Sequence, residues 1–234
     1  MLALAPVVSL GQDSPGGPDC SAGAAFLARG DVARALKSLT GVRAGVGSAA
    51  DQNAKGLALL LSGRNEEAVA LFDALVKSDA TFVEARFNRG IALMRARKHD
   101  AAAADFASVM AIPDHSLRAS AGFHRALCDD AAGRRDDAVK HLRVAIAADP
   151  ELVDAYLYLG ILLEKQGDCE GAGAQYLEVL SRRPESLPAL LRFGICAHRK
   201  GFRDTALTYL RRVVQAAPAS AEAMEAQKYL VMLE

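Results

Sequence analysis

Histidine and cysteine are the residues of this sequence whose side chains could serve as nucleophiles, general bases or metal ligands. The chain of 234 residues has five histidines and four cysteines, and they are spread along its length. Common metal and redox motifs place two such residues a few positions apart, and neither C-x-x-C nor H-E-x-x-H occurs. The sequence therefore predicts no metal site and no cofactor.

The segment Cys128-Asp129-Asp130 comes nearest to a catalytic pattern. A thiol nucleophile needs a base, usually histidine, to take its proton. No histidine is placed to activate Cys128, and the sequence contains neither G-x-S-x-G nor a phosphate-binding glycine loop. We predict no catalytic residue and a protein that is not an enzyme.

The cysteines are too few, in a chain this long, to form a disulfide framework. We expect them to be small buried thiols. A bridge between Cys169 and Cys196 stays open if the compartment is oxidising.

Composition favours helices and a substantial core. Half of the residues are apolar (51%), alanine is abundant, and alanine is the best helix former. The 28 basic and 28 acidic residues cancel, which argues against nucleic acid or an anionic membrane as partner. No apolar run is long enough to predict a transmembrane span.

The first 19 residues differ from the rest of the chain. Residues 1–11 are apolar and uncharged, and residues 12–19 are rich in Pro, Gly and Asp, as is typical of a linker. The apolar stretch is similar to the core of a secretory signal peptide, although a positively charged start is missing. We expect either a signal-peptide remnant or an apolar arm, and the first reading favours an extracytoplasmic location over a cytoplasmic one.

Small residues recur at a fixed interval through most of the chain. The interval is 34 residues, except where Pro113-Asp114-His115 adds two. One small slot lies in the first helix of each unit of the pattern and a second in the next helix, where a large residue follows four positions later. These slots hold Gly56, Gly90, Ala126, Gly160 and Gly194; Ala68, Ala102, Ala138, Ala172 and Ala206; and Phe72, Phe106, Leu142, Tyr176 and Leu210.

The stretch 153–186 shows the pattern most completely. It reads Tyr156-x-x-Leu159-Gly160-x-x-Leu163, then Ala172-x-x-x-Tyr176, then Pro184. This resembles the tetratricopeptide repeat, a helix–turn–helix of 34 residues, with tyrosine in place of the first tryptophan. The resemblance implies an all-α fold, a right-handed superhelical solenoid of about six repeats with a C-terminal capping helix.

The register predicts the boundaries of the repeats. Residues 1–19 form the arm or remnant with its linker, and residues 20–234 form the solenoid. A helix ending before Gly30, an N-cap at Asp31 and a second helix over 32–40 make a degenerate first repeat. A turn without glycine at Arg97-Lys98-His99 predicts a slightly different turn there. The repeats are expected at 20–48, 49–82, 83–118, 119–152, 153–186 and 187–220, with the cap at 221–234.

In this family the first helices line a concave groove that holds ligand side chains, so the resemblance implies candidate binding residues. Most of these positions are apolar and form two rows, which predicts an exposed stripe for an apolar or amphipathic segment. The alternative is that neighbouring first helices bury them. The candidates are Leu57, Phe87, Asn88, Ile91, Met94, Phe123, His124, Leu127, Leu157, Tyr158, Ile161, Leu191, Arg192, Ile195 and Arg199.

Basic residues gather at the C-terminal end of the predicted groove. Lys165, Arg192, His198 and Arg199 either hold an acidic group of a ligand or form a solvated charged face. Family members that bind chaperone C-terminal carboxylates use Lys, Asn and Arg at groove slots, and here Phe, Leu and Ile occupy those slots. That function is disfavoured.

These expectations lead to one hypothesis and two alternatives. The leading one is a non-enzymatic scaffold that binds a peptide or helix of a protein partner in an apolar groove. The resemblance implies a role in assembling a bacterial envelope or secretion complex, in the manner of tetratricopeptide pilotins. The alternatives are a self-associating structural protein, with residues 1–10 docking on a neighbour, and a cytoplasmic chaperone for a secreted substrate.

Overall fold

The computed structural model describes residues 22–233, and this part of the chain is helical almost throughout. Besides the helices, the described residues contain one isolated β-bridge, between Arg43 and Val46. The prediction of an all-α repeat fold is confirmed. The helices are α1 Ala22–Ala28, α2 Val32–Ser38, α3 Ala49–Leu61, α4 Asn65–Ser78, α5 Val83–Arg95, α6 His99–Met110, α7 Arg118–Ala131, α8 Arg135–Ala148, α9 Val153–Lys165, α10 Cys169–Arg182, α11 Leu187–Arg199, α12 Arg203–Ala216 and α13 Ala221–Leu233.

The described chain divides into two compact units. Unit 1 extends through Arg134 and contains α1–α7, and unit 2 begins at Arg135 and contains α8–α13. Within each unit, helices that follow each other in sequence pack together. In unit 1, α3 also packs on α5 and α5 on α7, so first helices of successive repeats contact each other directly.

The small slots allow the two helices of a repeat to approach closely. A Cβ atom built on Gly160 would lie 2.5 Å from Cε1 of Tyr176, whose side chain is fully buried. Gly56 and Phe72 repeat this arrangement in unit 1, again at 2.5 Å. No side chain larger than hydrogen fits at these crossings without displacing the ring. The 34-residue spacing therefore records where pairs of helices touch.

The turn between the helices of a repeat needs a left-handed residue. Gly63 adopts it with φ 80°, and Arg97 occupies the same slot with φ 63°. Both turns have the same hydrogen bonds, since Arg97 and Lys98 donate to the carbonyls of Met94 and Leu93 as Gly63 and Arg64 do to those of Leu60 and Leu59. The expectation of a different turn at Arg97 is therefore wrong. The backbone conformation of the turn is the same, and Arg97 adopts a left-handed conformation that is strained for a residue with a Cβ atom.

The first hairpin is short and is attached to α3 by hydrogen bonds. Asp31 caps α2 by accepting a hydrogen bond from the amide of Arg34 at 3.0 Å, as its position after Gly30 predicts. Between α2 and α3 the chain makes a connector over residues 41–47. Gln52 accepts from the amide of Gly45 at 2.9 Å and donates to the carbonyl of Gly47 at 3.0 Å. Lys55 donates to the carbonyl of Val42 at 2.5 Å.

Helix α13 covers the end of unit 2 by packing on α11 and α12. Its buried face is made of Ala223, Ala226, Leu230 and Leu233. The sequence pattern also predicts inward positions for Met224, Gln227 and Val231, and this is wrong because all three are exposed. Near the end of the helix, the Arg203 guanidinium donates to the carbonyl of Leu233. The packed face combines two alanines with two leucines, and Met224, Gln227 and Val231 lie outside it.

The predicted N-terminal arm, residues 1–19, lies outside the described residues. Among residues 22–233, none of the helices combines the length and the hydropathy that crossing a bilayer requires.

Candidate functional site

The first helices α3 and α5 of unit 1 are joined by two polar contacts, one buried and one half-buried. The Nδ2 of Asn88 on α5 donates to Oδ1 of Asn53 on α3 at 3.1 Å, and the two side chains are 1% and 5% exposed. Farther along, Nη1 of Arg95 donates to the carbonyl of Leu60 at 2.8 Å. Each contact satisfies buried or half-buried polar groups from two repeats at once.

An aromatic cluster surrounds His124 in unit 1. Its ring lies 5.5 Å from the rings of Phe87, Phe106 and Phe123. Nδ1 of His124 is 2.8 Å from the carbonyl oxygen of Ser120. Burial lowers the pKa of His124 to about 4, because the charged imidazolium would lose its hydration there. The histidine is therefore a neutral core side chain near pH 7.

The predicted groove positions of unit 1 are mostly inside the protein. Their burial corrects the expected exposed apolar stripe, since neighbouring helices close over the rows. Met94 and Leu127 stay partly accessible. A role in partner binding for these residues remains a prediction. The buried positions, with exposed fractions, are Leu57 2%, Phe87 0%, Asn88 1%, Ile91 6%, Phe123 6% and His124 4%.

In unit 2, the carboxylate of Glu164 connects the first helices α9 and α11. Oε2 accepts from Nη1 of Arg192 at 3.0 Å and Oε1 accepts from Nη1 of Arg199 at 3.1 Å. The hydroxyl of Tyr176 donates to Oε2 at 2.9 Å from α10. Burial, followed by the neighbouring Glu164 charge, raises the pKa of Tyr176, so the phenol stays protonated and remains a donor.

The predicted positions of unit 2 separate into buried and accessible ones. Leu157, Leu191 and Ile195 are 6%, 5% and 5% exposed and belong to the core. Tyr158 and Ile161 on α9 are partly exposed. The side chains of Arg192 and Arg199 are 37% and 49% exposed although both are paired with Glu164. We call Tyr158, Ile161, Glu164, Arg192 and Arg199 the unit 2 face.

The basic residues predicted at this end are not a uniform cationic patch. Arg192 and Arg199 converge on one carboxylate. The ring of His198 lies 5.8 Å from that of Tyr229 on α13 in an edge-on contact. Lys165 is exposed. The arginines are thus positioned by an internal acid, and this limits the freedom of their guanidinium groups.

Glu164 is absent from the candidate binding residues that the sequence predicts. Its side chain is 10% exposed, and it connects three helices through Arg192, Arg199 and Tyr176. The available signal was the repeat register: Arg192 and Arg199 follow Glu164 by 28 and 35 residues, and 35 is one repeat plus one position. A buried acid facing two arginines from the next repeat follows from this spacing once the helices are stacked.

Among residues 22–233, we find no group of side chains arranged for catalysis. No group of three His, Cys, Asp or Glu side chains in this range is arranged to hold a metal ion. The thiol of Cys128 is buried, and burial followed by the nearby Asp129 charge raises its pKa to about 12. A thiol with this pKa is protonated near pH 7 and is a poor nucleophile. Cys128 is therefore a buried side chain that contributes to the packing of the core.

Sequence comparison identifies the repeat. The family model of the tetratricopeptide repeat matches residues 21–81, 53–115 and 129–187, which together span more than half of the chain. The chain belongs to the tetratricopeptide repeat family. None of the curated proteins that were compared is similar enough in sequence to this tetratricopeptide protein to count as a match.

Several solved structures are similar to this chain in fold. PilW, described as a widely conserved type IV pilus biogenesis factor, has 18% identity and TM-score 0.76 over 89% of this chain and 94% of its own. PilF of Pseudomonas aeruginosa has 17% identity and TM-score 0.74 over 90% and 94%. YrrB, described as a tetratricopeptide protein with an unusual peptide-binding site, has 17% identity and TM-score 0.63 over 84% and 97%. At these identities the likeness concerns the fold.

Proposed function

We propose that this protein is a non-enzymatic scaffold that binds a segment of a protein partner, and that the unit 2 face contacts that segment. One observation carries the proposal: two partly exposed arginines, Arg192 and Arg199, share the single carboxylate of Glu164. The three groups together hold one more positive than negative charge. An acidic side chain or a C-terminal carboxylate of a partner supplies the missing charge.

The apolar part of the proposal rests on Ile161 and Tyr158. These residues lie three positions apart on α9, so they face the same side as Glu164 does. Both are partly exposed. A segment with an acidic group next to an apolar side chain matches this combination. In unit 1, Met94 and Leu127 are the accessible apolar candidates, and they extend the same proposal to the first helices there.

A display experiment tests this preference without a known partner. A phage library of random peptides is selected on the full-length chain, and the affinities of the enriched peptides are measured by fluorescence anisotropy. We expect peptides that combine Asp or Glu with Leu, Ile or Phe, and roughly tenfold weaker binding to the Arg192→Gln/Arg199→Gln variant, since one charge-assisted pair is worth about 1.5–3 kcal/mol.

The matched control is Arg143→Gln, which removes an exposed arginine from the second helix α8 of the same unit. It should leave the affinities unchanged. Peptides that bind both variants as tightly as the unmodified chain would contradict the proposed face. Ile161→Ser then separates the apolar contribution from the charged one, and it is preferable to a change at Ile91, whose side chain is only 6% exposed.

We further propose a role in the assembly of a bacterial envelope or secretion complex. The support is the resemblance of the repeats to tetratricopeptide pilotins, together with likeness in fold to PilF and to the pilus biogenesis factor PilW. Fractionation of the native host cells, in which the chromosomal gene carries a tag at its 3′ end, tests the location. Recovery with a periplasmic marker is the expected result, and recovery with a cytoplasmic marker favours the alternative of a chaperone for a secreted substrate.

Self-association is a second candidate, favoured by the exposed apolar surface of α13. Met224, Val231 and Met232 are 62%, 69% and 64% exposed. Apolar surface of this kind often marks an interface. Light scattering compares the chain with a Met224→Gln/Val231→Gln variant and with a chain lacking residues 1–10. A monomeric mass for the unmodified chain at high concentration rules this candidate out, and the two variants distinguish α13 from the arm as the contact.

A further inference from the structure

One side of α13 is exposed rather than covered by another helix of residues 22–233. The other side packs on α11 and α12, and at about 100° per residue the exposed side centres on Lys228. Met224, Val231 and Met232 flank this lysine and are 62%, 69% and 64% exposed. Glu225 is exposed on the same side. We call these five residues the outer face of α13.

The outer face corresponds to the side that a second helix covers in other repeats. Counting back two repeats of 34 residues, Lys228 takes the slot of Gly160 and Met224 that of Tyr156. Gly160 of α9 lies against Tyr176 of α10, and Tyr156 is buried. A lysine at the glycine slot leaves no room for so close a crossing. The outer face is therefore suited to a helix that packs at the usual distance of about 8–10 Å.

The charges of the outer face indicate which helix this is. Glu225 and Lys228 lie one turn apart, and both are exposed. When two copies of α13 lie antiparallel, Glu225 of each copy faces Lys228 of the other, so all four charges are paired across the contact. A symmetric parallel pair would place like charges side by side, and it would also align the two helix dipoles unfavourably. The outer face thus complements itself in the antiparallel orientation.

The apolar residues fit the same arrangement. With the two-fold axis midway between Glu225 and Lys228, Met224 of one copy lies within about one helical turn of Val231 and Met232 of the other. Because of the symmetry, this apolar contact occurs on both sides of the central charges. Each copy therefore covers apolar surface of the other that is exposed in the single chain.

We propose that α13 of one copy packs antiparallel on α13 of a second copy through the outer face, and that this two-fold contact makes the protein a dimer. This inference rests on the self-association candidate described above, and it names the contact, its orientation and the charges that select it. A pair of 13-residue helices buries less than the roughly 1,600 Å² of a standard interface, so the dimer is weak and forms with rising protein concentration.

Reversing the charges tests both orientation and register. Sedimentation equilibrium measures the dissociation constant of the dimer for the full-length chain and for the variants Glu225→Lys and Lys228→Glu. Each single change places like charges at both contacts, and we expect it to weaken the dimer roughly tenfold. An equimolar mixture of the two variants restores opposite charges at both contacts. Heterodimers should then form about as tightly as the dimer of the unmodified chain, and so should dimers of the double variant.

The matched control is Arg143→Glu, which reverses an exposed charge on α8 of the same unit and should leave the dissociation constant unchanged. Single variants that dimerise as tightly as the unmodified chain would overturn the pairing of α13 and leave self-association through another surface. Weakened single variants whose mixture does not recover would overturn the antiparallel register.

An unmodified chain that remains monomeric at its highest soluble concentration would overturn the self-association candidate together with this contact. The scaffold function is judged separately, because the unit 2 face lies on α9 and α11 and its peptide affinities are measured in the display experiment. Those affinities should be the same for Glu225→Lys, Lys228→Glu and the unmodified chain.

Discussion

The two units use the same repeat slots to join their first helices, but with different chemistry. Arg95 in unit 1 and Arg199 in unit 2 both reach back 35 residues to the preceding repeat. Arg95 ends on the backbone carbonyl of Leu60, and Arg199 ends on the carboxylate of Glu164. The register therefore fixes where a side chain points, and the residue at the far end decides whether the contact is neutral or charged.

A second slot shows the same contrast. Asn88 and Arg192 occupy equivalent positions two residues before the small slot of their first helices. Asn88 makes a buried amide–amide bond to Asn53, whereas Arg192 makes a partly exposed ion pair with Glu164. A slot that resembles a ligand-binding position of the family can thus be used for packing in one repeat. The accessible, charged version in unit 2 is the one that we propose for recognition.

Acid should affect unit 1 through His124, and this is the largest effect that we expect. The unfolded chain binds the proton with a pKa near 6.5, and the folded chain with a pKa of about 4. Because the unfolded state takes up the proton first, the free energy of unfolding falls as the pH drops from 6.5 and levels off below about 4. At about 1.4 kcal/mol per pH unit the loss is about 3 kcal/mol.

Urea denaturation at several pH values between 4 and 7.5 measures this slope. His124→Leu should flatten the dependence on pH in this window, whatever it does to stability at neutral pH. If the free energy of unfolding of this variant depends on pH as steeply as that of the unmodified chain, groups other than His124 control the acid response.

Breaking the buried amide pair should be the next largest effect. Asn88→Ala leaves Oδ1 of Asn53 buried without its donor, and we expect a loss of about 2 kcal/mol in the free energy of unfolding. The double variant with Asn53→Ala should lose less than the sum of the two single variants. Because both groups are neutral, raising the salt concentration should not change these values. Asn88→Ala retains His124, so its pH slope is the control for the preceding experiment.

The charged contact of unit 2 should respond to salt. Glu164→Gln keeps an acceptor for the hydroxyl of Tyr176 but removes the charge that Arg192 and Arg199 share. Because both guanidiniums are partly exposed, we expect a loss of only about 1 kcal/mol at low ionic strength, which shrinks as salt is added. If the free energy of unfolding falls equally in low and high salt, the contact in unit 2 is not held by charge, and the contrast with the neutral contact of unit 1 is wrong.

The smallest expected effect is a gain in stability at Arg97, which occupies the left-handed slot that glycine holds in the other described turns within repeats. Arg97 adopts φ 63°, and Arg97→Gly relieves that strain while giving the unfolded chain more freedom. We expect a net gain of about 0.5 kcal/mol, measured by the urea midpoint. The reverse change in unit 2, Gly167→Arg, where φ is 86°, should lower the midpoint. A lower midpoint for Arg97→Gly would mean that the arginine side chain makes a compensating contact.

The helices could be predicted from the sequence because the features that specify them are local and repeated. Gly160 and Tyr176 indicate a helix crossing, and each of Pro150, Pro184 and Pro218 lies two residues after the end of a second helix. Each of these residues affects only the helical hairpin in which it lies, so the repeat pattern alone is enough to predict where the helices begin and end.

The accessibility of the candidate site could not be predicted in the same way. Whether Phe87 or Ile161 is exposed depends on how closely the first helices of successive repeats approach, and this distance is set by contacts such as Asn53 with Asn88. A row of apolar residues has the same sequence pattern whether it is buried or exposed, so the pattern cannot distinguish the two. The outward position of Met224 on α13 has the same cause, since the face that becomes buried depends on how α13 lies against α11 and α12.

The hydrogen bonds that Gln52 and Lys55 make to the connector have a consequence for cooperativity. Helices α1 and α2 have seven residues each, shorter than the roughly 12–15 residues that an isolated helix needs to persist in water. Their order is therefore maintained by α3, and amide protons of the first hairpin should exchange with solvent together with that of Gly45. A chain with Gln52→Ala would release the hairpin as a unit, although the substitution lies outside it.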